Sequence, residues 1–98
     1  PSAIGMTFAP LDEAAHRRYS IPADVRGVVI DSVSATSDAG KKGIRRGSVI
    51  VRAGDRVAAS PADVVAAVDQ ARREKRPSVL LQVYQQGRNA FVPIKIEP

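Results

Sequence analysis

The 98 residues suffice for one small domain; 44% are hydrophobic, only 4% are aromatic, and the formal net charge is +5. This apolar content argues against global disorder, and the core has to be built from Val, Ile, Leu and Ala. The absence of cysteine excludes disulfides and thiolate chemistry, and no apolar run approaches the roughly 20 residues that span a bilayer. We expect residues 1–98 to form a single domain of a longer protein, because the chain opens at Pro1 without methionine.

The first half of the chain alternates between extended and short helical patterns. Every second residue from Ile4 to Phe8 is apolar, which is the period of a half-buried strand, and Pro10 ends this strand. Residues 12–19 predict a short helix, because acidic residues stand at its start and arginines at its end. Residues 27–33 predict a strong strand, and residues 37–42 predict a helical turn.

The second half predicts two hairpins around one long helix. Residues 49–52 and 56–58 flank the hairpin signal Gly54-Asp55. A helix from Pro61 to about residue 74 is predicted by apolar residues at helical spacing, with Ser60 as its cap. Residues 79–84 and 89–96 predict the last hairpin. The order of elements predicts an α+β fold, in which helices cover a small mixed sheet or partial barrel.

This order of elements resembles the PDZ domain, and most closely the PDZ domains of HtrA/Deg-type (DegP-like) periplasmic serine endoproteases. The resemblance covers nearly the whole chain and implies a five- to six-stranded partial barrel or sandwich, capped by one long and one or two short helices. It also implies the permuted strand order of bacterial protease PDZ domains. The stretches that carry it are Ile4-Gly-Met-Thr, Tyr19-Ser-Ile-Pro, Arg26-Gly-Val-Val-Ile, Lys42-Gly-Ile-Arg-Arg-Gly and Ser60-Pro-Ala-Asp-Val.

Three departures from the family pattern imply a divergent member. Ser48 stands where the family usually has Asp, and residues 53–55 (Ala-Gly-Asp) stand where Asn-Gly is usual. Residues 38–40 (Asp-Ala-Gly) replace a frequent Pro-Ala-Ala. We therefore expect the second, C-terminal PDZ domain of the parent protein, a position that often serves oligomer contacts or regulation.

The predicted binding site lies between the first strand and the long helix. An exposed strand edge offers unpaired amides and carbonyls, to which an extended peptide adds as a further strand. Residues 3–6 (Ala-Ile-Gly-Met) match the PDZ loop whose backbone amides bind a C-terminal carboxylate. The same apolar positions would equally serve as the core of any small domain.

The resemblance assigns roles on both sides of this groove. It implies that the amides of Ile4, Gly5 and Met6 bind the carboxylate and that Thr7, Phe8 and Ala9 pair with the peptide main chain. It also implies that the opposite apolar wall consists of Pro61 (or Ala62), Val65 and Val68, with Asp69 at its far end. An apolar pocket predicts ligands that end in Val, Ile or Leu.

The resemblance implies a non-catalytic module of a serine protease, with the catalytic domain outside this chain. The module would bind hydrophobic C-terminal or unfolded segments for protein quality control in the periplasm, and would contact the protease domain and other domains of the parent. Three alternatives stay open: a module that serves mainly oligomer or interdomain contacts, a PDZ domain of another envelope protease or secretion component, and a binder of nucleic acid or membrane surfaces.

The residues give no indication of an autonomous enzyme. His16 is the only histidine, and no Gly-x-Ser-x-Gly pattern occurs. The carboxylates of residues 12, 13, 63 and 69 lack the spacing of metal or paired-carboxylate sites, and the basic pairs are not interleaved with aromatic residues. We therefore expect no catalytic residue, no metal, no cofactor, no nucleic-acid partner and no membrane insertion.

Overall fold

A computed structural model describes residues 2–96 and confirms the α+β fold, with seven strands and three helices. The strands are β1 (Ser2–Ala3), β2 (Met6–Pro10), β3 (Val28–Val33), β4 (Val49–Ala53), β5 (Arg56–Val57), β6 (Ser78–Gln85) and β7 (Arg88–Lys95). The helices are α1 (Glu13–Arg18), α2 (Asp38–Lys41) and α3 (Pro61–Arg73). Every predicted element is present, but the first predicted strand begins at Met6 and not at Ile4, because Ile4 and Gly5 form a turn. Among the described strands only β1 was not predicted, because two residues carry no periodicity.

The strands form one sheet in the order β1-β2-β3-β4-β6-β7, and β5 pairs with β4. All described pairings are antiparallel, so the expectation of a mixed sheet is wrong. Two β-bulges, one between Thr7 and Phe8 and one between Ile50 and Arg52, shift the register and add twist. In this strand order, β1 lies at one edge of the sheet and β7 at the other.

The main core lies between α3 and one face of the sheet. Val64 and Val68 of α3 are fully buried there, and each such side chain contributes about 1.5–3 kcal/mol by leaving water. The sheet contributes side chains from every long strand: Met6, Phe8, Val28, Ile30, Ile50, Ala53, Val79, Leu81, Val83 and Ile94. The core is aliphatic except for Phe8, as the composition predicts.

A second, smaller cluster lies on the opposite face of the sheet. Its buried members are Ile21, Val29 and Val49, and side chains from α1 and its flanking loops pack around them. The segment with α1 thus covers the outer face only over β3 and β4. The outer face of β6 and β7 stays exposed, with Leu80 and Phe91 in water.

The helix starts are fixed by short side chains. Asp12 accepts a hydrogen bond from the amide of Ala15 at 2.9 Å, which caps α1. The carboxylate of Asp63 accepts hydrogen bonds from the amides of Ala59 and Ser60 at 3.0 Å, which fixes the entry of α3. Within residues 2–96, no helix is long and apolar enough to cross a membrane.

Candidate functional site

The loop predicted to bind a carboxylate is a two-residue turn, Ile4-Gly5. Its φ angles are +46° and +80°, and two successive positive φ angles are typical of a tight hairpin turn. Position 5 cannot hold a residue with a side chain, because a Cβ added to Gly5 would come within 2.4 Å of the Cβ of Ser37. The carbonyl of Gly5 accepts a hydrogen bond from the amide of Ser34 at 2.8 Å. The turn is thus packed against the connection between β3 and α2.

This turn folds β1 back along β2. Ala3 pairs with Met6 and Ser2 pairs with Thr7, while β3 pairs with the other side of β2. The strand edge that was predicted to be vacant is therefore occupied by the chain's own backbone at Met6 and Thr7. Beyond Thr7, no strand among residues 2–96 pairs with this side of β2.

The direction of β1 matters for binding. It runs antiparallel to β2 and leads into the turn at Ile4. A peptide that added to β2 with its carboxyl end at the turn would run in the same direction, over the same backbone groups. β1 thus takes the position of the last residues of such a peptide.

The structure brings most predicted site residues together. Met6, Phe8 and Val68 are buried in the main core, and Ile4 and Val65 pack against it with partial exposure. Helix α3 lies alongside both β1 and β2. The apolar residues of β2 and of α3 therefore belong to one packed cluster.

The remaining predicted residues have more specific surroundings. Pro61 is buried and Ala62 is exposed, which places Pro61 on the inward face of α3. The hydroxyls of Thr7 and Ser32 lie 2.6 Å apart, so the side chain of Thr7 faces β3. Asp69 pairs with Arg72 on α3 at 3.4 Å.

A depression of about 420 Å³ lies beside the turn. Its lining residues come from β1, the turn, β2 and the end of β3, and none is charged or belongs to α3: Ser2, Ala3, Ile4, Gly5, Met6, Thr7, Ser32, Val33 and Ser34. Such a surface can bind an anion only through backbone amides and hydroxyls. Sequence reasoning missed Ser32 and Ser34; the only signal was the change from apolar to polar residues at Asp31.

No protein-family model matches the sequence. Proteins named probable periplasmic serine endoprotease DegP-like are similar to it in several bacteria. The identity is 36% over 73 residues in Brucella suis (74% of this chain, 14% of that protein) and 34% over 93 residues in Rhizobium meliloti (95% and 16%). It is 32% over 92 residues in Bartonella henselae (94% and 16%). The chain thus spans only about one sixth of these relatives' length.

Two solved structures share the fold. The HtrA3 PDZ domain bound to the phage-derived ligand FGRWV superposes with a TM-score of 0.73 at 20% identity, covering 94% of this chain and 81% of that one. The HtrA-type protease AlgW with a decapeptide gives a TM-score of 0.72 at 18% identity, covering 94% of this chain and 27% of that one. At this identity, the likeness is one of fold.

Proposed function

The chain is a PDZ domain of the HtrA/DegP-like type, and we propose that it is a non-catalytic peptide-binding module of a periplasmic serine endoprotease. Support comes from the DegP-like relatives, which match most of the chain, and from the two structures of the same fold, which hold peptides. The catalytic domain then lies outside this chain. We assign to the module the capture of hydrophobic C-terminal or unfolded segments in protein quality control.

The observation that carries the proposal is the turn Ile4-Gly5 at the start of β2, next to the apolar face of α3. The amides of Ile4, Gly5 and Met6 are the donors for a C-terminal carboxylate, since no basic side chain lines the depression. The peptide main chain then pairs along β2 from Thr7 to Ala9.

The apolar wall of α3 sets the preference for the ligand's side chains. Pro61, Val65 and Val68 face inward, and only Val65 among them is partly exposed. Val65 is therefore the residue of α3 that an arriving side chain meets first. An aliphatic C-terminal residue fits this wall, because the wall offers no polar partner to a polar side chain.

Peptide binding requires that β1 leaves β2. Among residues 2–96, two residue pairs join β1 to β2, and each backbone hydrogen bond contributes about 0.5–1.5 kcal/mol net. Two such bonds amount to about 1–3 kcal/mol, so displacing β1 lowers the affinity by roughly one to two orders of magnitude. With a few apolar anchors and this competition, we expect dissociation constants on the order of micromolar or weaker.

Fluorescence titration with three labelled peptides, Phe-Gly-Arg-Trp followed by Val, Ile or Leu, tests the proposal. We expect binding of the free acids and a loss of affinity of about tenfold or more on C-terminal amidation. Val65→Asp should abolish binding, whereas the matched control Ala62→Asp on the exposed face should not. Circular dichroism checks that both variants fold. Equal affinity for acids and amides would contradict the assignment of the carboxylate loop.

A second candidate function is favoured by the occupied edge of β2. If β1 stays in place, the module serves mainly contacts with other domains or subunits of the parent protease. Deletion of residues 1 and 2 distinguishes the candidates. Binding of the free-acid peptides by the shortened chain supports the peptide-binding function, and no binding by either chain supports the contact function.

A further inference from the structure

A cavity of about 1000 Å³ shares no residue with the candidate peptide site. It lies between the connection from α1 to β3, the turn from α2 to β4, and the β6–β7 hairpin. We call it the basic cleft. Its lining residues are Tyr19, Ser20, Ile21, Pro22, Gly43, Arg45, Arg46, Gly47, Ser48, Val83, Tyr84, Gln85, Gln86, Gly87, Arg88 and Ala90.

The basic cleft has a one-sided charge. Arg45, Arg46 and Arg88 line it, and no carboxylate from the described residues 2–96 does. None of the three forms an ion pair within residues 2–96, although Arg17 and Arg76 elsewhere each have a carboxylate at 2.9 Å or less. Three arginines that line one cleft and have no ion-pair partner among residues 2–96 attract anionic groups, and each guanidinium can bind a carboxylate with two hydrogen bonds.

The walls of the cleft are held in place by specific contacts. The guanidinium of Arg46 lies 5.8 Å from the centre of the Tyr19 ring, and the Tyr19 hydroxyl donates to Asp31 at 3.3 Å. Gly47 lies so close to this ring that a Cβ would come within 2.9 Å of it. The side chain of Gln85 donates to the carbonyl of Gly43 at 3.1 Å, which ties the hairpin to the turn. A ligand therefore meets walls that need little ordering.

An exposed apolar face adjoins the cleft. Tyr84, Gln82 and Leu80 alternate along β6 and so share the outer face of the sheet, and Phe91 lies opposite Gln82 on β7. Leu80 is 48% exposed and Phe91 is 66% exposed. The distance from Tyr84 at the cleft to Leu80 is roughly 13 Å, at about 3.3 Å per residue. A ligand of a few residues can thus touch both regions.

Charge and shape favour a polypeptide as the occupant. A second copy of the chain would bring like charge to like charge, since the net charge is +5. Arg18 and Arg46 both lie over the Tyr19 ring, so this ring is not free for the base stacking that a single-stranded nucleic acid uses. The shape of the cleft also favours a polypeptide over a membrane, because an extended chain fits a concave surface better than a flat lipid surface fits it.

We propose that the basic cleft and the adjoining face of β6 and β7 bind an extended acidic polypeptide segment that also carries apolar side chains. Its carboxylates pair with Arg45, Arg46 and Arg88, and its apolar side chains cover Leu80 and Phe91. This surface is separate from the candidate peptide site, so the domain holds two ligands of different chemistry.

The probe is an N-acetylated, C-terminally amidated decapeptide with four acidic residues, then Gly-Ser, then four apolar residues. Its blocked C-terminus cannot use the carboxylate loop, so a failure here is distinct from a failure of the proposed function. We expect calorimetric titration at low salt to show binding that a Glu/Asp-to-Gln/Asn version of the probe loses. The affinity should also fall steeply between 20 and 200 mM salt, on the order of tenfold.

Three double variants decide the location. Arg45→Glu with Arg46→Glu should weaken binding at least tenfold, whereas the matched charge change Arg73→Glu with Lys75→Glu at the end of α3 should not. Leu80→Ser with Phe91→Ser should weaken binding several-fold. The exposed positions of these side chains favour retained folding, and circular dichroism checks it.

Three outcomes would overturn the proposal. Equal weakening by both arginine/lysine pairs would show attraction to net charge alone. Unchanged affinity after loss of Leu80 and Phe91 would show that the apolar face takes no part. Tighter binding of a 20-nucleotide single strand or of phosphatidylglycerol vesicles than of the peptide, lost in the Arg45/Arg46 variant, would assign the cleft to those ligands.

Discussion

The β1–β2 and β6–β7 hairpins close with nearly the same turn and differ in the length of their arms. The turn residues Ile4-Gly5 have φ angles of +46° and +80°, and Gln86-Gly87 have +50° and +82°. The first turn joins strands that share two residue pairs, and the second joins strands that share eight. Within residues 2–96, the same local geometry thus joins a short strand to β2 at one sheet edge and a long strand to β6 at the other.

The surroundings of the two turns differ as much as their arms do. A Cβ at Gly5 would come within 2.4 Å of the Cβ of Ser37, whereas a Cβ at Gly87 would meet nothing within 4 Å. The turn at the candidate site is packed against the fold, although its strand β1 is short. This combination suits a binding loop, because the donors stay fixed while the strand that covers them can leave.

Removing the anchor of the long hairpin should have the largest effect. Ile94 of β7 is fully buried in the main core, so Ile94→Ala should lower the free energy of unfolding by about 2–5 kcal/mol. Urea denaturation followed by circular dichroism measures this loss. A loss below about 1 kcal/mol would show that β7 does not anchor the sheet.

The two turn glycines give the next largest contrast. Gly87→Ala should cost about 1–2 kcal/mol, because it places a Cβ in left-handed backbone without any clash. Gly5→Ala adds the collision with Ser37 to the same backbone strain, so it should cost clearly more and shift the loop. Thermal unfolding of both variants measures the difference. Equal losses would mean that the β1–β2 turn is not packed as described.

Shortening β1 should change the affinity for peptide more than the stability of the fold. Deletion of residues 1 and 2 removes the pair between Ser2 and Thr7. We expect affinity for a free-acid apolar peptide to rise about three- to tenfold, since β1 then competes less, with little change in the melting temperature. An unchanged or lower affinity would show that β1 does not compete with the ligand.

The smallest expected effect concerns a carboxylate that fastens β7. Asp38 of α2 accepts a hydrogen bond from the amide of Lys95 at 2.8 Å and pairs with Lys42 at 2.9 Å. The hydrogen bond from the Lys95 amide, followed by that from Lys42, lowers the pKa of Asp38 below its ordinary value of 3.8. The stability that Asp38 contributes is therefore present above pH 3.8 and is lost as the pH falls through its lowered pKa.

Asp38→Asn removes this ionisation. Melting curves from pH 7 to pH 2 should show a small loss of stability at neutral pH, and the difference from the natural chain should shrink as the pH falls. A difference that stays constant over this range would mean that the charge of Asp38 contributes nothing.

The long elements could be predicted from sequence because periodicity marks them. The apolar spacing in α3 and the β-branched run in β3 each extend over enough residues to fix the type of structure. The resemblance assigned a loop to residues 3–6, and the turn Ile4-Gly5 lies within it. The pairing of β1 with β2 could not be predicted, since two residues carry no pattern and strand edges are decided by tertiary contacts.

The basic cleft could not be predicted for a different reason. Its residues are far apart in the sequence: the arginines are at positions 45, 46 and 88, and the tyrosines are at positions 19 and 84. In the sequence these appear as one basic pair, one single arginine and two isolated rings. Only the antiparallel pairing of β4 with β6, which places Val49 opposite Tyr84, brings the segments together.

The most direct test follows backbone amides of the ¹⁵N-labelled domain by NMR while an apolar free-acid peptide is added. We expect large shift changes at residues 4–9 and at Val65, signs of release at Ser2 and Ala3, and little change in β7. Changes confined to β7 and its exposed face, or resonances of Ser2 and Ala3 that stay fixed at saturation, would contradict strand addition to β2.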